Sequence, residues 1–310
     1  MKTYILKRLL YMIPTILGCI TIVFFASRLI PGDPALAILG ENATKEDIAL
    51  LHQAMGLDKP LVVQYLTFLG DYLRLDFGQS FISGREVITE IMARLPYTIE
   101  LAVASVIVGV AVGLPLGIIA ALKRNSLLDY FTTTISIMGV AAPSFWVGLI
   151  FIIVFAIQLG WFPIISSGDE TLFSWQYITL PATSLGLSMA ALVARLTRSN
   201  TLEVLGEDYV RTARAKGVKE SKVIFKHVMK NAAVPIITIV GLQMGFLLGG
   251  AIITETVFGR PGIGKFLIDS IYARDFPAIQ ATSFVIVVMF LFINLVVDLL
   301  YSVFDPKIRY

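Results

Sequence analysis

Six apolar runs, separated by polar intervals of unequal length, organise this sequence. They cover residues 9–27, 98–122, 131–158, 178–194, 233–253 and 280–301. Because about 20 apolar residues cross the hydrocarbon core of a bilayer, the pattern predicts an all-α polytopic membrane protein with six transmembrane helices. The first run is longer than the apolar core of a signal peptide, so we interpret it as a retained helix; a cleaved signal peptide is the alternative.

The first long polar interval, residues 30–97, contains turn and capping residues that predict three short helices. Pro31, Gly32 and Pro34 end the first transmembrane helix. Thr44 with Asp47 begins the first short helix and Gly56 ends it, while Pro60 precedes the second. The third is expected over Arg85–Leu95 and ends before Pro96. We expect this interval to form an extracytoplasmic helical region. It either contacts a partner there or only covers the ends of the transmembrane helices.

The second long polar interval, Arg195–Ala232, carries nine Lys and Arg residues. Its apolar residues, from Val218 to Met229, have helical spacing, and Gly217 stands where one short helix can end and another begin. Basic residues concentrate in cytoplasmic loops of membrane proteins. We therefore expect this loop, and both chain termini, to be cytoplasmic. The predicted regions are 1–29 (tail and first transmembrane helix), 30–97 (extracytoplasmic region) and 98–310 (five-helix transmembrane core with the loop 195–232).

Composition agrees with a membrane protein and narrows its chemistry. Mean hydropathy is +0.81 and 15% of residues are charged, against about 25% in soluble proteins. The net charge of +3 is too small to indicate a nucleic-acid partner. A single cysteine, Cys19, excludes an internal disulfide, and His52 and His227 lie far apart, so we expect no metal site.

No catalytic motif of the H-E-x-x-H or G-x-S-x-G type is present. The segment Gly259–Lys265 fits the G-x-x-x-x-G-K phosphate loop, but Phe266 replaces the Ser or Thr that binds magnesium. We expect a turn or a re-entrant connection there. An intramembrane enzyme, one alternative class, would need paired reactive groups at one depth, and the sequence provides none.

Small and polar residues within the apolar runs predict helix contacts. Three stripes have the four-residue spacing that permits close backbone approach, either within one subunit or to a partner. They are Gly109, Gly113 and Gly117; Ala182, Gly186, Ala190 and Ala194; and Gly241, Gly245 and Gly249. Gln243 and Asn294 are expected to form hydrogen bonds between helices.

Three acids lie near the predicted ends of the apolar runs: Glu100, Glu255 and Asp298. A charge within a bilayer is costly, so such residues raise a functional hypothesis. Water can reach groups near helix ends, however. A structural or interfacial role and a place along a transport pathway therefore both stay open for each of them.

The heptapeptide Arg211-Thr-Ala-Arg-Ala-Lys-Gly217 resembles the EAA loop of ABC importer permeases, in the variant of dipeptide, oligopeptide and nickel systems. Arg211 and Thr212 stand where the general pattern has Glu and the first Ala. His227–Lys230 stands where it has the Leu-Pro group, and Pro235 comes five residues late. These departures are typical of the peptide subclass. Further similar segments extend the resemblance over nearly the whole chain. They are Pro31–Pro34, Asp76–Ser80, Leu95–Glu100, Gly249–Gly264 and Asp298–Pro306.

The resemblance implies a type I permease fold, of the dipeptide-permease B type, in which this loop holds a coupling helix that sits in a cleft of the ATPase. Arg211 and Arg214 would pair with acidic groups, while Ala213, Ala215 and Gly217 would permit close approach. Tyr209 completes the implied coupling set. As the loop moves with its partner, the helical bundle would alternate between outward and inward openings.

The implied partners are a second homologous permease subunit, two ABC ATPase subunits or domains, an extracytoplasmic substrate-binding protein and membrane lipid. No cofactor is expected in this chain, since ATP and Mg would be bound by the ATPases. Whether the two ATPases are identical to each other stays open. A secondary transporter or channel that needs no ATPase is the alternative in another class. The substrate stays open among dipeptides, longer peptides, glutathione and nickel chelates.

Overall fold

The computed structural model describes residues 2–29, 33–40, 43–166, 172 and 174–304. Within these ranges the regular structure is helical, which confirms the predicted all-α class. The helices are α1 (Lys2–Leu29), α2 (Pro34–Leu39), α3 (Lys45–Ala54), α4 (Leu61–Leu73), α5 (Val87–Leu122), α6 (Leu127–Ala141), α7 (Ser144–Phe151), α8 (Trp175–Leu205), α9 (Asp208–Ala215), α10 (Glu220–Lys222), α11 (Met229–Val257), α12 (Ile263–Ala273) and α13 (Phe276–Phe304). The segments Ile152–Gln158 and Val223–Val228 are π-helical.

Four helical segments are long and apolar enough to cross a membrane: Leu6–Leu29, Val87–Leu122, Trp175–Leu205 and Phe276–Leu299. Two bent helix pairs qualify as well when each pair is taken together. Leu127–Ala141 and Ser144–Gln158 meet at 101°, and Glu220–Ala233 and Pro235–Leu247 meet at 46°. Counting each pair as one span gives the six spans that the apolar runs predict.

Two details of the sequence prediction are wrong, and proline is the reason in both cases. The run 131–158 is broken between Ala141 and Ser144, where Pro143 precedes α7. Conversely, Pro96 was expected to end a third short helix, yet it lies inside the 36-residue α5. A transmembrane helix tolerates an internal proline because neighbouring groups satisfy the freed backbone carbonyl.

The short helices of the first polar interval otherwise follow their capping residues. The Thr44 hydroxyl accepts from the Asp47 backbone N–H at 3.2 Å, and the Asp47 carboxylate accepts from the Thr44 backbone N–H at 3.3 Å. Gly56 has φ +64° just after α3, and Pro60 precedes α4, as predicted. Two of the predicted helix-ending residues, Pro31 and Gly32, lie outside the described residues, as do Asp305–Pro306 and the C-terminal basic residues.

The chain divides into two compact units: Met1–Pro96 with Gly262–Met289, and Tyr97–Pro261 with Phe290–Tyr310. The core of the first unit is aromatic. The ring of Phe68 lies 5.1 Å from that of Phe24 and 4.2 Å from that of Tyr72, measured between centroids. The division into regions 1–29, 30–97 and 98–310 stays a prediction, because it depends on which side of a membrane each region faces.

The second unit is built on close contacts at small residues. A Cβ atom added to Gly113 would lie 2.5 Å from the Ala190 carbonyl oxygen, and one added to Gly117 would lie 2.5 Å from that of Ala194. The first two predicted stripes therefore face each other within one subunit, between α5 and α8. In the third stripe a Cβ on Gly245 would meet Phe290 of α13 at 2.8 Å, whereas one on Gly249 would meet nothing within 4 Å.

Candidate coupling surface

The short helix α9 is fixed by an apolar cluster beneath it. Val210, Val223 and Val228 are fully buried there, and Val204, Leu205, Ala213 and Val218 pack around them. Because these residues come from α8, α9 and the segment after Gly217, the cluster ties the loop to the transmembrane helix that precedes it. Ala213, expected on the docking face, is half-buried against this cluster.

Gly217 performs the turn that the sequence predicts between two short helices. Its φ is +73°, a conformation that side chains with a Cβ rarely adopt. Its backbone N–H donates to the Arg214 carbonyl at 2.9 Å, and the Val218 N–H donates to the Ala213 carbonyl at 3.2 Å. A Cβ at this position would meet nothing within 4 Å, so the chain requires glycine here for its backbone and leaves the space above it open.

The two arginines of the heptapeptide are exposed and have acidic neighbours of their own. Arg214 donates to both carboxylate oxygens of Glu220, at 2.6 and 3.1 Å, across the Gly217 turn. These hydrogen bonds hold the pKa of Glu220 below its usual value and raise that of Arg214. Arg211 lies 3.5 Å from Asp208, one turn earlier in α9. A partner's carboxylate would therefore exchange with a pair already formed.

Tyr209 links α9 to the start of α11. Its hydroxyl accepts a hydrogen bond from the Asn231 side-chain amide at 2.6 Å and lies 3.5 Å from the His227 carbonyl oxygen. Asn231 belongs to the first turn of α11. Tyr209 thus holds the start of α9 against the start of the following transmembrane helix, a positioning contact that its place in the motif alone does not reveal.

The helical spacing of the apolar residues does not predict the exposure of Phe225. The sequence places it among the apolar positions of an amphipathic helix, but it is 70% exposed. The cause is the π-helical segment Val223–Val228. Its hydrogen bonds join residues five apart, so Val223 and Val228 share the buried face and Phe225 turns away from it. As a result, an aromatic ring is exposed on the same loop as several exposed basic residues.

An ion pair that the sequence analysis did not predict joins α8 to α6, close to the start of the loop. Arg198 donates to the two carboxylate oxygens of Asp129, at 2.5 and 2.8 Å, and Asp129 is buried. Asp129 lies in the first turn of α6, whose N-cap is Ser126. The lower half of α8, which leads into α9, is therefore held to α6 by a two-point contact.

A buried polar cluster within the second unit joins the N-terminal half of α5 to the last turn of α11 and to Arg260, which follows it. Arg260, 2% exposed, donates to Glu100, 4% exposed, at 2.6 Å, and Thr98 donates to the fully buried Glu255 at 2.5 Å. The expectation that water reaches Glu100 and Glu255 is therefore wrong: both acids are enclosed by protein groups. Their partners favour the structural role. Asp298 lies inside α13.

A cavity of about 310 Å³ opens beside the bend between α6 and α7. Ser144, Ser188 and Gln243 provide its polar groups, and Met189, Phe246 and Leu247 are among its apolar ones. Gln243 and Asn294 make no side-chain hydrogen bond to any described residue, so their predicted role in joining helices is not observed. Gln243 instead faces this cavity.

The phosphate-loop-like segment has a different structure. Gly259 forms a turn after α11, and Gly262 precedes α12, so Gly264 and Lys265 belong to a helix. The Lys265 ammonium lies 2.5 Å from Asp269, one turn on. The connection to the last transmembrane helix is thus a turn followed by the 11-residue α12, more regular than the turn or re-entrant connection expected.

Family comparisons agree with this architecture over the whole chain. The model described as "binding-protein-dependent transport system inner membrane component" matches residues 113–310, and the model of its N-terminal part matches residues 1–102. The chain belongs to this family of transport permeases. The permease is 45% identical to the glutathione transport system permease protein GsiC of Salmonella paratyphi A and 44% identical to that of Escherichia coli (strain K12), over all 310 residues and the full length of both relatives.

Solved structures share its fold. An inward-facing MetNI methionine ABC transporter chain aligns with a TM-score of 0.59 at 17% identity, over 70% of the permease and 97% of that chain. An amino acid ABC transporter chain aligns with a TM-score of 0.54 at 18% identity, over 69% and 94%. The family match and the full-length relatives show that the permease is an inner membrane subunit of an ATP-driven importer, a transport component and not an ATPase. Such importers combine permease, ATPase and binding-protein components.

Proposed function

We propose that the loop 195–232 of this permease docks on an ABC ATPase in the cytoplasm and transmits its movement to the transmembrane helices. In this proposal both termini are cytoplasmic, a second homologous permease subunit completes the pathway, and two ATPase subunits or domains bind ATP and Mg. A substrate-binding protein delivers the solute outside. The observation that carries the proposal is the rigid, exposed basic turn around Gly217.

The docking face consists of the exposed residues on and after α9. Arg211, Arg214 and Ala215 are exposed, and Gly217 leaves open space above its backbone. A short helix with small residues fits a groove on another protein. Arg211 and Arg214 would exchange their own acids for acids of the ATPase, while Ala215 and Gly217 would permit close approach. Phe225 adds an aromatic anchor, since aromatic residues are enriched at protein interfaces.

The other predicted residues act inside the permease in this proposal. Ala213 packs against the buried valines, and Tyr209 joins α9 to α11. A force on α9 therefore reaches α8 through Val204 and Leu205, and reaches α11 through Asn231. Both helices contribute to the cavity at the α6–α7 bend, since Ser188 lies on α8 and Gln243 on α11.

That cavity is our candidate for part of the translocation pathway. Transporter sites are commonly formed where a transmembrane helix is broken, and here the break of 101° exposes polar groups within the apolar core. Ser144, Ser188 and Gln243 offer hydrogen bonds to a polar solute. Full-length relatives that are 44–45% identical are named for glutathione transport, so we propose short peptides, glutathione among them, as the substrate class.

The test is uptake by the assembled importer in proteoliposomes. With the partner permease, ATPases and binding protein present, Arg214→Glu is expected to lower ATP-dependent uptake of labelled glutathione at least about tenfold, the loss that corresponds to one charged contact. Gly217→Asp is expected to lower uptake as well, because its side chain would fill the open space through which the ATPase approaches the backbone. Lys45→Glu, which changes an exposed cation of α3, serves as the matched control and should transport normally.

Co-purification of the ATPases separates docking from the other steps. Both loop variants should reach the membrane in normal amounts but retain less ATPase than the parent permease. Normal uptake by both variants would contradict the docking role. Reduced uptake with full ATPase retention and normal stimulation of ATP hydrolysis would also contradict it, because the defect would then lie elsewhere.

A further inference from the structure

A cavity of about 250 Å³ lies within the first compact unit. It shares no lining residue with the cavity at the α6–α7 bend and none with the loop 195–232. The last turn of α1, one face of α4 and the first turn of α13 border it. Charged groups of both signs line it: Arg28 and Lys59 are cations, and Asp71 and Asp76 are acids.

The Arg28 guanidinium is held in place without a carboxylate. Its Nε and Nη2 donate to the Gln64 side-chain oxygen at 3.2 and 2.8 Å, and its carbon lies 3.5 Å from the centre of the Phe24 ring. Gln64 in turn donates to the backbone carbonyls of Leu57 and Lys59. The Arg28 Nη1 donates to the Phe24 carbonyl at 3.2 Å. No carboxylate in the described part of the chain pairs with Arg28, so one remaining N–H on each terminal nitrogen of this half-buried cation stays available.

The acids of the cavity are likewise not used by these cations. The Asp76 carboxylate accepts from the Gly78 backbone N–H at 3.0 Å, and the Asp71 side chain has no partner among the described residues. Gln64, which holds Arg28, and Asp71 are seven residues apart on α4. Two helical turns place them on one face, about 10 Å apart along the axis. One cavity therefore presents opposite charges at two separated points.

We propose that this cavity binds a short zwitterionic peptide of two or three residues. The peptide's C-terminal carboxylate would contact Arg28 and Lys59, and its N-terminal ammonium would contact Asp71 and Asp76. An extended chain spans at most about 3.3–3.6 Å per residue, so two or three residues cover the distance between the charges, whereas a single amino acid does not. A cavity of 250 Å³ is smaller than the roughly 300–1,000 Å³ of drug-sized ligand sites, which favours a small peptide.

Aromatic side chains complete the site. Phe68, Phe77 and Phe276 line the same cavity and would contact the apolar side chains of the peptide. The choice of a peptide over another zwitterion of the same length rests on the proposed function. The charge pattern and the spacing are independent of the ATPase and of the loop that we assign to it.

Calorimetric titration of the full chain in lipid nanodiscs tests this site with three probes. Trialanine carries both terminal charges, trialanine amide lacks the carboxylate, and N-acetyl-trialanine lacks the ammonium. Trialanine should bind saturably, and each blocked peptide should bind at least about tenfold more weakly, the factor expected for one lost charged hydrogen bond. Equal affinity for the three peptides, or no binding of trialanine, would overturn the proposal.

Variants assign the two ends. Arg28→Gln should weaken trialanine about tenfold and abolish the preference for trialanine over its amide; Asp71→Asn should abolish the preference over the acetylated peptide. Arg74→Gln, an exposed cation of the same unit that does not line the cavity, is the matched control and should bind like the parent. If Arg28→Gln is poorly folded in thermal unfolding, Lys59→Gln replaces it, with the amide preference expected to shrink. An unchanged preference in a folded variant of either cation would overturn the assignment.

This experiment is separable from the test of the importer. Peptide binding requires neither ATP nor the other subunits. Absence of selective trialanine binding by a chain that supports normal ATP-dependent uptake would reject this inference and leave the proposed function standing. Conversely, selective trialanine binding by a chain whose loop variants transport normally would retain the site and reject the docking role.

Discussion

Arg260 and Arg214 each form an ion pair with a glutamate at 2.6 Å, but the two pairs differ in burial. Arg260 and Glu100 are almost completely enclosed, while Arg214 and Glu220 are exposed on the loop. A buried charge that loses its partner is strongly destabilising, whereas an exposed ion pair contributes little to stability. The first pair is therefore a structural contact, and the second can exchange partners.

Glycine shows the same contrast. Gly113 and Gly117 are helical, and their lack of a side chain lets α5 approach the backbone of α8. Gly217 has open space around it and is required for its left-handed backbone instead. The same residue type thus allows close helix packing in the transmembrane interior and a left-handed turn in the exposed loop. Four substitutions test this comparison, taken from the largest expected effect to the smallest.

Arg260→Met is expected to have the largest effect, because it leaves Glu100 buried without its guanidinium. Breaking such a pair costs about 3–5 kcal/mol, so folded yield and thermal stability should fall sharply. The double variant Arg260→Met with Glu100→Leu should recover much of the loss, since it buries no charge at this point. A single variant as stable as the parent would show that the two pairs do not differ as described.

Gly113→Ala should destabilise by about 1–3 kcal/mol, the usual cost of overpacking. The new Cβ would lie 2.5 Å from a backbone oxygen of α8, which cannot rotate away as a side chain could. Gly249→Ala is the matched control, because its Cβ would meet nothing within 4 Å. Thermal unfolding in detergent should separate the two variants, and equal midpoints would argue against the α5–α8 seam.

Gly217→Ala should cost about 1–2 kcal/mol through its left-handed backbone. Gly217→Asn should cost less, because asparagine tolerates that conformation better than alanine. Thermal unfolding measures the order of the two variants. If alanine were tolerated better than asparagine, the positive φ would not be the reason for glycine at this position.

Arg214→Gln should have the smallest effect on stability. Its hydrogen bonds hold the pKa of Glu220 below the ordinary value of 4.5. A carboxylate whose pKa falls on folding adds stability above its unfolded pKa and loses that stability as pH falls through the folded pKa. The difference between parent and variant should therefore be small at pH 7 and shrink below pH 4.5. Growth of the difference on acidification would contradict the pairing with Glu220.

The local sequence pattern was sufficient to predict the six spans from the apolar runs, the turn at Gly217 from its glycine, and the helix after Thr44 from its capping residues. It failed at Pro143 and Pro96, because one proline breaks a transmembrane helix and another does not, depending on neighbours that lie far away in sequence. It also failed at Phe225, since a π-helical segment changes which residues share a face. The pairs of Asp129 with Arg198 and of Glu100 with Arg260 join residues 69 and 160 positions apart, and no local pattern signals them.

Thiol labelling at the docking face tests the central claim most directly. In a Cys19→Ser background, Ala215→Cys places a thiol on exposed α9, and a membrane-impermeant maleimide can be applied to inside-out and right-side-out vesicles. We expect labelling only in inside-out vesicles, and protection of the introduced thiol when the ATPases are bound. Labelling from the outer surface, or equal labelling with and without the ATPases, would contradict the account.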